Sequence, residues 1–220
     1  MPTILITGTG RGIGRKLAEL FVREGYDVLA ASRHGPTIYA TESVTMDVGD
    51  NASVSAAARQ LKDRPIDVLV NNAGIFGDRG TGLDHMDEAV WREVLDVNVL
   101  GPARVVRAFL PHLEAGRHKK IVTISSRMGS MGENTSGGEM VYRSSKAAVN
   151  AVMRSLSFDL ADKGMICTMV HPGWVRTDMG GPAAAISVDE SADGIKTLIL
   201  GLDAGSNGAF FNYDGTPIAW

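Results

Sequence analysis

Tyr142 and Lys146 stand four residues apart in Met140-Val141-Tyr142-Arg143-Ser144-Ser145-Lys146, at the start of a run whose pattern predicts a helix from about Tyr142 to Ala161. On a helix, positions four apart share a face, so the phenol and the ammonium project toward one point. An ordinary tyrosine has a pKa near 10 and exchanges protons poorly at neutral pH. A neighbouring cation favours the phenolate, which makes the pair a candidate general acid or base.

A second constellation lies near the start of the sequence, in Gly8-Thr9-Gly10-Arg11-Gly12-Ile13-Gly14. It follows an apolar, β-branched run, Thr3 to Thr7, and opens a run with helical spacing from Ile13 to Glu24. Glycines let the backbone turn tightly and approach a phosphate, while a helix start offers N–H groups and partial positive charge. This is the arrangement a dinucleotide pyrophosphate requires. The next apolar run ends Ala31-Ser32-Arg33, where an acid would bond the ribose hydroxyls of NAD. Ser32 and Arg33 stand there instead, and Arg33 with Arg11 can pair a 2′-phosphate, so NADP(H) is favoured over NAD(H). Asp47-Val48 can present a carboxylate to the adenine amino group. Asn72, Ala73 and Gly74 end the fourth strand with small residues that leave room for the cofactor.

The elements positioning these residues alternate. Strands are expected at Thr3–Thr7, Tyr26–Ala31, Val44–Met46, Ile66–Val70, Ile121–Ser125, Ile166–Val170 and Gly208–Asn212. Helices are expected from Ile13, from a cap at Asn51 to Lys62, over Asp84–Leu113 with a bend at Asn98 and Gly101-Pro102, from Tyr142, and from Ser187 or Asp189 to Leu200. Such alternation predicts one α/β domain over residues 1–220, with a doubly wound, mainly parallel sheet and helices on both faces. Ligands then collect at the carboxyl ends of the strands, where every motif above falls.

Composition narrows the partners. Net charge is −3 and 44% of residues are hydrophobic, which supports a full core and gives no electrostatic footprint for nucleic acid. No run reaches membrane-spanning length. Cys167 is the single cysteine, so neither a disulfide within the chain nor a cysteine-cluster metal site is expected. The start, Met1-Pro2-Thr3, has no basic region followed by an apolar core, and a reducing cytoplasm is the expected setting.

Thr7-Gly8-x-x-x-Gly12-x-Gly14, Asn71-Asn72-Ala73-Gly74, Tyr142-x-x-x-Lys146 and Pro172-Gly173, in this order, resemble the short-chain dehydrogenase/reductase family over essentially the whole chain. The resemblance implies a Rossmann fold with a seven-stranded sheet. It assigns Tyr142 as the proton donor or acceptor at the substrate oxygen. Lys146 would lower the Tyr142 pKa and hold the nicotinamide ribose. Ser126 would hydrogen-bond the substrate carbonyl, although its spacing to Tyr142 is longer than usual and Ser125 stays open. The Asn98 backbone would hold a water that feeds protons to the lysine. The segment His171 to Thr177 would pack the nicotinamide, with Pro172 and Gly173 shaping it and Val175 and Thr177 bonding the carboxamide. His171 itself reads as structural. Tyr-Arg-x-Ser-Lys, the loop Asn134–Gly138 and the ending Tyr213-Asp214-Gly215 are similar to a compact C-factor-like, carbonyl-reductase-like branch. The family also implies a homodimer or homotetramer in which the helix from Tyr142 packs on its copy.

The expected activity is hydride transfer between NADP(H) and a small carbonyl or alcohol substrate. Loops around residues 127–139 and 178–188 would enclose it. Met128, Met131 and Trp174 would wall the pocket, favouring uncharged carbonyls. Two other readings remain: a nucleotide-binding sensor or signalling protein with little turnover, and epimerisation or dehydration of a bound nucleotide.

Overall fold

The computed structural model describes residues 1–35, 39–80 and 83–220. Seven parallel strands form one sheet. In chain order they are β1 (Thr3–Thr7), β2 (Asp27–Ser32), β3 (Glu42–Thr45), β4 (Val68–Asn71), β5 (Lys120–Ile124), β6 (Ile166–His171) and β7 (Phe210–Asn212). In space they run β3-β2-β1-β4-β5-β6-β7. The chain winds outward from β1 to β3, then returns to β4 on the other side of β1. The crevice beyond the carboxyl ends of β1 and β4 is therefore the switch point where such sheets receive ligands.

The helices are α1 (Gly12–Arg23), α2 (Asn51–Gln60), α3 (Glu88–Leu95), α4 (Gly101–Ala115), α5 (Met140–Asp159) and α6 (Val188–Gly201). Alternation along β1 divides the core. Ile4 and Ile6 pack with Leu17 and Phe21 of α1 and Ile195 and Ile199 of α6. Leu5 points the other way, toward Val54 of α2, Phe109 of α4 and Met153 of α5. Cys167 lies in this second layer, fully buried, and burial pushes its thiol up to about 12. It acts as a small hydrophobe. No helix among the described residues is long and apolar enough to cross a membrane.

Boundaries differ from expectation in instructive places. Asp50, not Asn51, caps α2, its carboxylate accepting from the Ala52 amide at 2.8 Å. Ser187 caps α6, accepting from Glu190 at 3.0 Å. The bend at Asn98 is a π-helical turn, Asp96–Leu100, that joins α3 to α4. Pro102 lacks the amide that would close an α-turn on the Asn98 carbonyl, so the helix changes register there.

At the amino ends of the strands, Asp67 ties three segments together. Its carboxylate accepts from Thr3 and Arg117 at 2.8 Å each and from His118 at 3.3 Å. Burial works to raise its pKa, but the three backbone amides together outweigh burial and hold it below its ordinary value. A carboxyl group whose pKa is depressed on folding stabilises the fold above its unfolded value and loses that contribution as pH falls through the folded one. Asp67→Asn should therefore cost about 1–3 kcal/mol at pH 7, with the gap to the parent closing in melts taken below about pH 4.

Candidate active site

The expected site residues gather at the carboxyl edge of the sheet. Gly8–Gly14 follows β1, Ser32 and Arg33 close β2, Asp47 and Val48 follow β3, Asn72–Gly74 follows β4, Ser126 follows β5 and Pro172–Thr177 follows β6. Asn98 sits in the π-turn, and Tyr142 and Lys146 occupy the first turns of α5.

The glycine-rich turn is stapled to both neighbouring strands. The Gly8 and Thr9 amides both donate to the Ala31 carbonyl, at 2.8 and 3.2 Å, and the Thr9 hydroxyl joins them at 3.2 Å. Thr9 thus supports the turn from within. The Asn72 side chain donates to the Thr7 and Gly8 carbonyls at 2.9 and 3.2 Å, while the Thr7 hydroxyl accepts from the Asn72 and Ala73 amides. Gly14 has no room for a side chain: a Cβ would stand 2.4 Å from both Asn72 Nδ2 and the Gly8 oxygen. Gly10, by contrast, borders open space. α1 starts at Gly12 with no capping side chain and no acid in its first turn. An uncapped helix start beside open space suits an anion.

Around this turn the expected cofactor-binding residues have the following partners within the chain. Arg11 is not free: its guanidinium pairs with Asp178 at 2.8 Å, both side chains in solvent. Ser32 donates its hydroxyl to the Gly35 carbonyl at 2.9 Å, and Arg33 is exposed. Asp47 accepts from the Gly49 amide at 2.9 Å, holding its own turn, and Val48 is buried near Gly101. Thr177 lies close to Gly12 and its hydroxyl accepts from Gly180 at 3.1 Å, while buried Val175 bridges to Ile186. Ser191 of α6 anchors the Pro172 carbonyl at 2.6 Å. Gly173 adopts φ +86°, beside Ile186 and Tyr213, where a side chain would not fit.

Tyr142 and Lys146 are buried on one face of α5, with Lys146 Nζ 5.6 Å from the centre of the Tyr142 ring. Lys146 donates to the Ile124 carbonyl at 2.9 Å, and Ser126 lies beside Tyr142, where its hydroxyl favours the phenolate. Ser125 is buried and donates to Asn150 at 2.6 Å, whereas Ser126 stands beside the Tyr142 phenol. The Asn98 side chain exchanges two bonds with the Ile75 backbone, at 2.9 and 2.8 Å, and donates to Ser145 at 3.0 Å. Ser145 in turn donates to the Tyr142 carbonyl at 2.8 Å. A family model for short chain dehydrogenases matches residues 2–185 of this chain.

The chain belongs to the short-chain dehydrogenase family. It is an oxidoreductase. It is 44% identical over 165 residues to C-signal from Myxococcus xanthus, an alignment covering 75% of this chain and 99% of that one. The NADPH-bound carbonyl reductase from chicken fatty liver superposes with a TM-score of 0.91 at 31% identity, covering 100% of this chain and 99% of its own. The carbonyl reductase Sniffer of D. melanogaster gives 0.91 at 32% identity, with both chains fully covered.

In this short-chain dehydrogenase the electrostatics correct one expectation. Tyr142 is not acidified: burial pushes its phenol up to about 12, against the opposing pull of the neighbouring Ser126 hydroxyl and the Arg79 charge. Lys146 is pushed down to about 8 by its own burial. The ammonium lies by the ring and points at the Ile124 carbonyl, so desolvation of the phenol outweighs it. His171 is half-buried, and desolvation with the Arg127 charge lowers its imidazole to about 4, leaving it neutral at ordinary pH.

Sequence reasoning missed Phe76 and Arg79. Phe76 stacks on Tyr142 with ring centres 4.3 Å apart and planes 21° from parallel, and the Arg79 guanidinium lies over Phe76 at 4.5 Å. Gly77 and Gly80 marked a turn around them, but nothing in that pattern places an aromatic ring on a helix 60-odd residues later. Of the apolar wall, Met131 and Trp174 stand largely in solvent, at the rim.

A lysine whose pKa falls on folding destabilises the chain wherever it is charged in the native state, here below about pH 8. Lys146→Met keeps the length and removes the charge. It should raise the melting temperature at pH 7, by stability on the order of 2 kcal/mol, with the gain fading as pH rises from 8 toward 10.5. Thermal melts across that range check this.

Proposed function

We propose that this short-chain dehydrogenase reduces small carbonyl compounds with NADPH, reversibly, its 220 residues acting as a single dinucleotide-binding domain. The observation carrying the reading is the buried Tyr142 phenol with Ser126 beside it and Lys146 one helical turn away, at the carboxyl edge of the sheet where α1 starts uncapped. Gly10, Arg11, Gly12, Ile13 and Gly14 would hold the pyrophosphate. Arg11 and Arg33, with no acid at the end of β2, favour a 2′-phosphate. Binding NADP(H) then requires Arg11 to leave Asp178. The NADPH named with the chicken carbonyl reductase supports the same preference.

When bound, the nicotinamide supplies the hydride. Ser126 and Tyr142 hold the carbonyl oxygen as charge develops on it. A phenol with a pKa of about 12 is protonated throughout the neutral range, as a proton donor must be. Lys146, near 8, can return a proton to Tyr142 through the helix face they share. Asn98 fixes Ile75 and Ser145, and its carbonyl is the proposed anchor for a proton-relay water. His171 stays neutral and outside the proton path. The same reading includes homo-oligomers packed through α5, and a reducing cytoplasm in which the unpaired Cys167 is at home.

The likeness to C-signal favours one second reading, a nucleotide-binding signalling protein with little turnover. The two part on assay: tight NADPH binding without oxidation across a broad carbonyl panel would choose the second. If the first holds, Tyr142→Phe lowers turnover about 10²–10⁴-fold while NADPH still binds by fluorescence titration; unchanged turnover removes the mechanism. Arg11→Ala should raise the KM for NADPH roughly tenfold more than that for NADH in parallel steady-state assays.

A further inference from the structure

Resting on the carbonyl-reductase reading, and in place of the uncharged substrates expected from an apolar wall whose Met131 and Trp174 stand in solvent, we propose that the substrate carries a carboxylate near its carbonyl and that Arg79 receives it. The segment after β4 turns back on itself through two left-handed glycines, Gly77 at φ +80° and Gly80 at φ +66°. The turn lays Phe76 flat on Tyr142 and Arg79 over Phe76. Two anchors fix it there. The Arg79 guanidinium donates to the Met179 carbonyl of one loop expected to enclose substrate, and the Gly80 amide donates to Glu139 Oε1 of the other, at 3.2 Å. Arg79 thus ties the turn to the loop at Met179 while its guanidinium lies over the ring stacked on the phenol.

What distinguishes Arg79 is an unpaired charge placed over the ring that stacks on Tyr142. Arg127, next to Ser126, pairs with Glu133 at 3.1 Å, and Arg11 pairs with Asp178 at 2.8 Å. Among the described residues no carboxylate lies within ion-pair distance of Arg79. Glu139, which the turn brings close, uses its Oε1 on the Gly80 amide instead. The Arg79 charge nevertheless reaches the reacting oxygen, since it favours the ionised form of the Tyr142 phenol. A guanidinium that has given one N–H to a carbonyl keeps donors for a carboxylate, and its planar fork matches that group better than an ammonium would. The carboxylate takes no part in bond-making. The carbonyl carbon would gain hydride and the oxygen the Tyr142 proton, which Tyr142 regains from solvent by way of Lys146, so that NADPH, one proton and an oxo acid become NADP⁺ and a hydroxy acid.

The test pairs 2-oxobutanoate, acetoacetate and levulinate with their methyl esters, so that each acid differs from its partner by one charge while the spacing to the carbonyl varies. NADPH oxidation gives kcat/KM for each, and calorimetry with NADP⁺ present gives binding without turnover. The parent enzyme should prefer at least one acid to its ester. Arg79→Gln should lower that acid-to-ester ratio at least about tenfold, and Arg79→Lys should recover part of it, in both measurements. A ratio unmoved by Arg79→Gln, or no acid preferred in binding or turnover, overturns the proposal. Esters reduced with no acid preference leave the reductase reading standing, whereas acid binding that depends on Arg79 without oxidation of any compound overturns that reading and keeps the carboxylate site.

Discussion

Lys146 is an ammonium in the protein interior, bonded to the Ile124 carbonyl, one helical turn from a phenol that is buried as well. Desolvation acts on both, moving the lysine down and the tyrosine up, so each is pressed toward its neutral form. Such a pair is held only where surrounding structure fixes both side chains. Much of the crevice can be understood as that support. Gly74 stays small because a Cβ there would stand 3.2 Å from Asn98 Oδ1 and 3.7 Å from Lys146 Nζ. Gly129 stays small because a Cβ would press on the Lys146 backbone.

The sheet separates stability from chemistry by direction. At its amino edge Asp67 gathers backbone amides from β1 and from the segment before β5, with no ligand-facing role. At its carboxyl edge the same strands end in small or hydroxylated residues whose bonds staple turns to one another. Thr7, Asn72 and Ala31 lock the glycine turn, and Asn98 locks Ile75. Because strand register fixes these ends relative to one another, residues from six different loops arrive in one crevice without any single loop carrying the site.

The turn from Ile75 to Gly80 connects the halves. Asn98 sets where it starts, Phe76 lays it on Tyr142, and Arg79 and Gly80 tie it to the loops on either side of the pocket. The phenol is therefore coupled to the pocket rim through stacked groups as well as through its own helix. This places a second cation, besides Lys146, where it acts on the Tyr142 phenol.

Strand and helix periodicity, the glycine turn and the four-residue spacing of Tyr142 and Lys146 were legible in the sequence because they are local: each follows from backbone geometry over a few residues. The order of the strands' alternation with helices then fixed the class of fold and the edge at which ligands gather. The π-turn was legible only as a bend, since Pro102 announces a missing amide but not which register replaces it. The division of labour between Ser125 and Ser126, the pairing of Arg11 with Asp178, the direction of the Tyr142 shift and the place of Arg79 were decided by tertiary structure alone. Each depends on what lies across the crevice, and on how much water is excluded there, and burial and long-range contact leave no mark in the spacing of residues along the chain.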